Sequence, residues 1–323
     1  SKIAILTDSS CDIPQEMAEK YGIDIMSFHI LLDDVDYVER ESCTNTEFYD
    51  KMRLAKGVPS TAAITPIQFC EKYCQYVDEG YTDVIHVPIN KSGSSTYNNA
   101  LMAQGMLREE RPEHHMKIHL LDPHTYSMVF GWYLCEMARK LKNGAEISHV
   151  IQEFEKQMNC MEIILGPYSL KQMKKSGRIS AAAAVMGELM GVRPIITLID
   201  GKTKVESKVR GDDKVVPAMI ELCKKRADGV ENFDYMIGHT NIKQAEDLEK
   251  ACRKAFGKAP LVVFELGGVV PAPTLWLWCT PATPEGNISM PLHDAMAFFV
   301  AFRANLCYTP LCCAFLRSSF RAT

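Results

Sequence analysis

Two stretches of the chain place small hydroxyl side chains where an apolar run gives way to a helical pattern. In Asp83-Val84-Ile85-His86-Val87-Pro88-Ile89-Asn90-Lys91-Ser92-Gly93-Ser94-Ser95-Thr96-Tyr97, the hydroxyls fall just before a helix. In Pro59-Ser60-Thr61-Ala62-Ala63-Ile64-Thr65-Pro66, Thr61 and Thr65 precede another helix start, and a third cluster, Asp8-Ser9-Ser10, follows the first apolar run. The first N–H groups of a helix have no intrahelical acceptor and lie at the positive end of its dipole, so such a turn suits a carboxylate or a phosphate. Helix capping alone also places Ser and Thr there. Three such clusters favour an anion seat, with Thr61, Ser94, Ser95, Ser92 and Ser9 as its candidate ligands.

The rest of the chain restricts the chemistry. No glycine pattern matches a dinucleotide fingerprint, and no Gly-x-x-x-x-Gly-Lys-Ser/Thr loop occurs. Near the hydroxyls there is no Gly-x-Ser-x-Gly elbow, no Ser/His/Asp order and no carboxylate pair with an acid/base division of labour. The hydroxyls therefore read as holding an anion, not attacking one: a binding protein, not an enzyme, with no cofactor. The competing reading is a small-molecule enzyme of phosphoryl-transfer type on a related two-domain scaffold.

The 12 cysteines are scattered and read as reduced, mostly buried small side chains. Cys70 and Cys74 lie one helical turn apart without a second matching pair, and His114, His115, His119 and His124 flank a strand and point different ways, so no metal site is expected. With 36 Lys+Arg against 40 Asp+Glu and 47% hydrophobic residues, the 323-residue chain is globular and unsuited to coating nucleic acid. Its first residues are too short an apolar run for a signal peptide, and no stretch approaches the ~18 apolar residues of a membrane span. A cytoplasmic location is the expectation.

Short apolar runs alternate with helical periodicity through the first half. Strands are expected at residues 2–7, 24–31, 83–89 and 116–121, and helices at 14–21, 46–55, 66–77, 97–107, 126–141 and 147–158. Thr65-Pro66-Ile67-Gln68 supplies a cap, a proline at the first helical position and a glutamine for a capping box. This alternation predicts a parallel sheet flanked by helices, over residues 1–160. The rhythm then changes: a strand at 161–165, a short helix at 170–176, a hairpin of 194–199 and 204–209 around Asp200-Gly201, helices at 214–226 and 243–256, and strands at 235–238 and 261–266. That pattern predicts a second, α+β domain with a mixed sheet, over 161–323, packed closely on the first.

Residues 271–323 are atypical. They hold 5 charged residues of 53, against 71 in the preceding 270, so they cannot form solvated surface helices. Such a segment is either buried in a partner or pocket, or an out-of-frame or replaced sequence.

The ordered motifs Thr7-Asp8-Ser9-Ser10-Cys11-Asp12, the Pro59/Thr61 turn, Ser94-Ser95-Thr96-Tyr97, the 122–131 segment, Ser176-Gly177-Arg178-Ile179-Ser180 and Arg193-Pro194-Ile195 resemble the successive signatures of the DegV family. The resemblance covers about residues 1 to 268. It implies a bacterial fatty-acid-binding protein of the FakB type, the acyl-binding partner of a fatty acid kinase. An acyl chain would lie between two α/β domains, its carboxylate on hydroxyls matching Thr61 and Ser94. It further implies that Arg178 docks the kinase, and a transient membrane contact is compatible with it.

Physical chemistry agrees with that implication. Burying ~15 methylenes at about 0.8 kcal/mol each gives roughly 12 kcal/mol gross, much of it offset by lost freedom. A carboxylate in the same dry site costs several kcal/mol unless hydrogen bonded, so the hydroxyls set orientation. The apolar residues 181–186 and 189–192 would supply a wall. The sequence departs from the family at Ala62, Ser95 and Pro123, where Ser, Gly and Ser are usual. It departs again after Val270, where a His-Thr-Gly-Pro-Gly segment is replaced by Pro271-Ala272-Pro273-Thr274.

Overall fold

The computed structural model describes residues 2–168, 191–227 and 233–269, and the backbone of Thr274–Pro281 and Ala301–Phe302. In chain order the first part runs β1 (Ile3–Asp8), α1 (Gln15–Tyr21), β2 (Ile23–Met26), β3 (His29–Leu32), β4 (Val35–Val38), α2 (Asn45–Leu54), β5 (Ser60–Ala62) and α3 (Pro66–Asp78). It continues with β6 (Asp83–Val87), α4 (Thr96–Glu110), β7 (Lys117–Leu120), α5 (Met128–Lys142) and α6 (Ile147–Met158). The second part holds β8 (Met161–Pro167), β9 (Val192–Ile199), β10 (Lys202–Arg210), α7 (Val215–Arg226), β11 (Phe233–His239), α8 (Ile242–Phe256), β12 (Val263–Glu265), β13 (Thr274–Pro281) and β14 (Ala301–Phe302).

The first sheet, β2-β1-β6-β7, is parallel throughout. Its central strands are buried on both faces, with Ile5 and Ile85 in one apolar cluster and Ala4, Leu6 and Val84 in the other. The second sheet is mixed, in the order β10-β9-β8-β13-β11-β12 with β14 against β8; β11 and β12 are parallel and the other pairs antiparallel. β13, from the charge-poor segment, fills the slot between β8 and β11. A third, antiparallel sheet, β4-β3-β5, has ladders of its own but packs Ile30 and Leu32 into one apolar cluster with Ala4, Leu6 and Val84 of the first. The molecule is thus α/β, a parallel sheet with flanking helices followed by a mixed sheet.

α5 explains how the two large sheets share a core. Residues 128–135 are all buried, so this helix is apolar around its circumference and lies inside the molecule. One apolar cluster runs from Ile5 and Ile85 through Phe130 and Leu134 to Ile164, Ile196 and Met219. Separating the sheets would expose these side chains to water, at a cost of about 25 cal/mol for each square ångström of apolar surface.

The single strand expected over residues 24–31 is two strands in different sheets. At the break, the N–H of Phe28 donates to Ser9 Oγ at 3.0 Å, and Phe28 C=O accepts from the N–H of Glu39 at 2.9 Å. These bonds take the main chain of Phe28 out of the first ladder. The helix at α3 begins where the capping box predicts, with Thr65 and Gln68 exchanging bonds. The helix expected at 170–176 lies outside the described residues.

Candidate functional site

The carboxyl ends of β1 and β6, adjacent in the parallel sheet, carry the polar groups. At the end of β1, Asp8 is fully buried and accepts from Ser10 N at 3.1 Å, from the Ser10 hydroxyl, and from the N–H of Ile89 at 2.7 Å. One carboxylate therefore fixes both the turn after β1 and the exit of β6. Burial pushes its pKa up to about 7, partly countered by these donors.

Beyond β6, Asn90 Oδ1 accepts from Ser92 N at 2.8 Å and Ser92 Oγ at 2.7 Å, and Gly93 N donates to Asn90 O at 3.1 Å. The chain so folded presents Ser94 ahead of α4. Ser94 Oγ lies 2.8 Å from Thr96 Oγ1 and accepts from Thr96 N at 3.3 Å. Unlike α2 and α3, which start with capping boxes, α4 starts at Ser95 without a side-chain cap. Ser95 itself caps nothing, and the side-chain bond at the start of this 15-residue helix comes from the half-buried Ser94 to Thr96 N, which sets that hydroxyl at the positive end of the dipole.

The Thr61 segment is brought alongside. Thr61 stands on β5, paired opposite Ile30, so it belongs to a short strand and not to the turn expected from sequence. Asn99, in the first turn of α4, donates from Nδ2 to Ile64 O at 2.8 Å and ties the loop after β5 to the start of α4. Ser95 is exposed. Ser92 is exposed and occupied by Asn90, with Asp200 O at 3.4 Å. Ser9 is buried and engaged by Phe28 N. Arg178 and the apolar residues 181–186 and 189–190 lie outside the described residues.

Two further contacts bring the second sheet onto this edge. The tip of the β9–β10 hairpin reaches the turn after β6, where Ser92 Oγ lies 3.4 Å from Asp200 O, and the loop after β7, where His124 Nδ1 lies 2.8 Å from Asp200 Oδ1; Lys91 Nζ lies 3.2 Å from Asp122 and ties those two loops together. A Cβ on Gly201, which has a φ of +71°, would overlap the Ser92 hydroxyl. The segment after β12 is held by two buried carboxylates: Asp12 accepts from Gly267 N at 3.0 Å and Glu39 from Val269 N at 2.9 Å. Burial raises the pKa of both, and their mutual repulsion raises Asp12 further. Tyr49 adds its hydroxyl to Leu266 O at 2.9 Å.

A cleft of ≈ 840 Å³ opens beside these acids, lined by Asp12, Glu39, Arg40, Glu41, Glu47 and Glu265 among others. Its acidic walls disfavour a carboxylate, whereas the hydroxyl edge at β6 does not. The histidines have separate partners, His119 with Asp83 and His124 with Asp200. The described cysteines are free thiols, with Cys11, Cys70, Cys135, Cys223 and Cys252 buried. Among the described residues, no helix is long and apolar enough to cross a membrane.

Sequence reasoning missed Glu39 and Asp12 as anchors of the 267–269 segment, because both are distant in sequence from what they hold. It also missed Asn90 as the residue that shapes the β6 turn, although a polar residue directly after a buried strand was its available signal.

Fold and site together define an α/β protein whose two large sheets share a core, with a donor-rich edge at the carboxyl end of the parallel one. A family described as "Uncharacterised protein, DegV family" matches residues 2–274, and the chain belongs to that family. A DegV domain-containing protein of Clostridium perfringens is 30% identical over 220 residues, 68% of this chain and 76% of the relative. One from Staphylococcus aureus is 28% identical over 277 residues, 84% and 93% of the two chains. Among solved structures, a stearic-acid-binding protein from Eubacterium ventriosum superposes with a TM-score of 0.77 at 22% identity, covering 86% of this chain and 98% of that one. A fatty acid binding DegV family protein from Streptococcus agalactiae gives 0.76 at 25% identity, covering 87% and 99%.

Proposed function

We propose that this protein binds a long-chain fatty acid between an N-terminal domain, residues 1–160, and a C-terminal domain, residues 161–323, and presents the carboxylate to a separate fatty acid kinase. The observation that carries the reading is the start of α4, where Ser95 makes no side-chain cap, the Ser94 and Thr96 hydroxyls lie together, and the loop after the Thr61 strand is tied to the same turn through Asn99. A carboxylate there takes hydroxyl and main-chain donors at a helix dipole's positive end, with no strong acid required of the protein. The named solved relatives, one stearic-acid-binding and one fatty-acid-binding, support the same reading. The protein performs no chemistry itself, works in the cytoplasm, meets the membrane only transiently, and docks the kinase through Arg178.

Lipid extraction of the purified protein followed by mass spectrometry tests it. One long-chain acid per chain is expected, and added kinase with nucleotide should phosphorylate that acid only when this protein is present. Absence of any acyl species, with a nucleotide or metal retained instead, would support the phosphoryl-transfer enzyme.

A further inference from the structure

Asn90 is completely buried at the carboxyl end of β6. Its Oδ1 faces the main-chain N–H of Ser92, which can only donate, so the orientation of the side-chain amide is fixed: oxygen toward Ser92, nitrogen away. Among the described residues, that Nδ2 has no hydrogen-bond partner. Buried amide donors are rarely left unmatched, because water cannot replace the missing acceptor. Two N–H groups are thus fixed in direction and lack an acceptor, in the turn that carries Ser94.

The surroundings define the acceptor. The neighbouring cation, Lys91, is paired with Asp122, so it does not neutralise an incoming anion at Asn90. On the other side, the hairpin tip closes the space: a Cβ on Gly201 would stand 3.4 Å from Nδ2. The donor is therefore buried between the turn after β6 and the β9–β10 tip, in the same turn as the hydroxyls. A carboxylate has two oxygens and about four acceptor positions, more than the Ser94 and Thr61 hydroxyls fill with one proton each.

Resting on the fatty-acid reading above, we propose that the Asn90 side-chain amide is a further head-group donor, which makes the site selective for an acid over an uncharged lipid of the same length. A neutral amide suits this role because it gives protons to an anion without a counter-charge that would itself need desolvation.

Asn90→Asp tests it, since the substitution keeps the oxygen that Ser92 needs and turns the donor into a repelling acceptor. Displacement titrations with palmitate and with hexadecanol, on wild type and variant, separate the outcomes. Palmitate affinity should fall by about tenfold or more, equivalent to ~1.4 kcal/mol, while hexadecanol affinity stays within about twofold. Unchanged palmitate binding, or equal weakening of both lipids, overturns the inference and leaves the fatty-acid reading standing. A wild-type protein that binds no palmitate overturns both. In nitrogen-labelled wild type, whatever the stability of the variant, the Asn90 side-chain amide resonance should move with palmitate and not with hexadecanol; a resonance unmoved by palmitate also overturns the inference.

Discussion

Gly267→Ala should part the two sheets at the acid anchor. A Cβ at this position would stand 2.5 Å from Asp12 Oδ1 and 2.7 Å from Glu39 Oε1, well inside van der Waals contact. Those oxygens accept from Gly267 N and Val269 N. Neither carboxylate can retreat, because Asp12 is also tied to the Ser127 hydroxyl and both side chains are buried. The methyl group therefore breaks two hydrogen bonds to buried carboxyls, each worth roughly 1.5–3 kcal/mol when the acceptor is ionised. The sum is about 3–6 kcal/mol, and the upward pKa shifts of both acids place the expected loss near 3. Urea unfolding followed by tryptophan fluorescence reads it. Gly105→Ala is the control, since Gly105 lies in α4 with nothing within 4 Å of a new Cβ, and should be neutral or stabilising by up to ~1 kcal/mol. A loss below about 1 kcal/mol for Gly267→Ala would refute the claim that this contact fastens the sheets.

Ser94→Ala should weaken fatty-acid binding by ~1–3 kcal/mol, read with a fluorescent fatty acid, because it removes a hydroxyl donor to a charged group; affinity unchanged within error contradicts the assigned site. Stability should decline as pH rises. Asp8 has a folded pKa near 7 against 3.8 for the free group, so its contribution is complete below about pH 4 and is lost as pH climbs through 7, on the order of 2–4 kcal/mol. Asp12 and Glu39 shift the same way, and Asp8→Asn should flatten the slope between pH 5 and 8 while costing ~1–3 kcal/mol at pH 5, since its new N–H₂ faces a main-chain donor. A slope equal to wild type contradicts the assignment. Thr65→Ala should cost about 1 kcal/mol by thermal unfolding, through loss of the α3 capping box, with lipid affinity retained.

What could be read from the chain was local. The capping box at Thr65, the hairpin around Asp200-Gly201 and the apolar periods of α5 and α6 each depend on residues within a few positions of one another. The alternation of strand and helix settled the parallel first sheet for the same reason, since crossovers of that length leave few other arrangements. The hydroxyl clusters were visible because turns before helices have characteristic residues.

Tertiary structure decided the rest. The residues 24–31 carry one apolar pattern, and only the bonds of Phe28 to Ser9 and Glu39 divide them between two sheets. Thr61 looks like a turn residue until β3 offers it a partner. Nothing in the sequence near positions 12 and 39 marks those acids as buried, and each accepts from main chain near Gly267 and Val269 that comes to it from more than 200 residues away. Short-range rules record which conformations a segment prefers, and burial, pairing and raised pKa values depend on which distant segments fill the space around it.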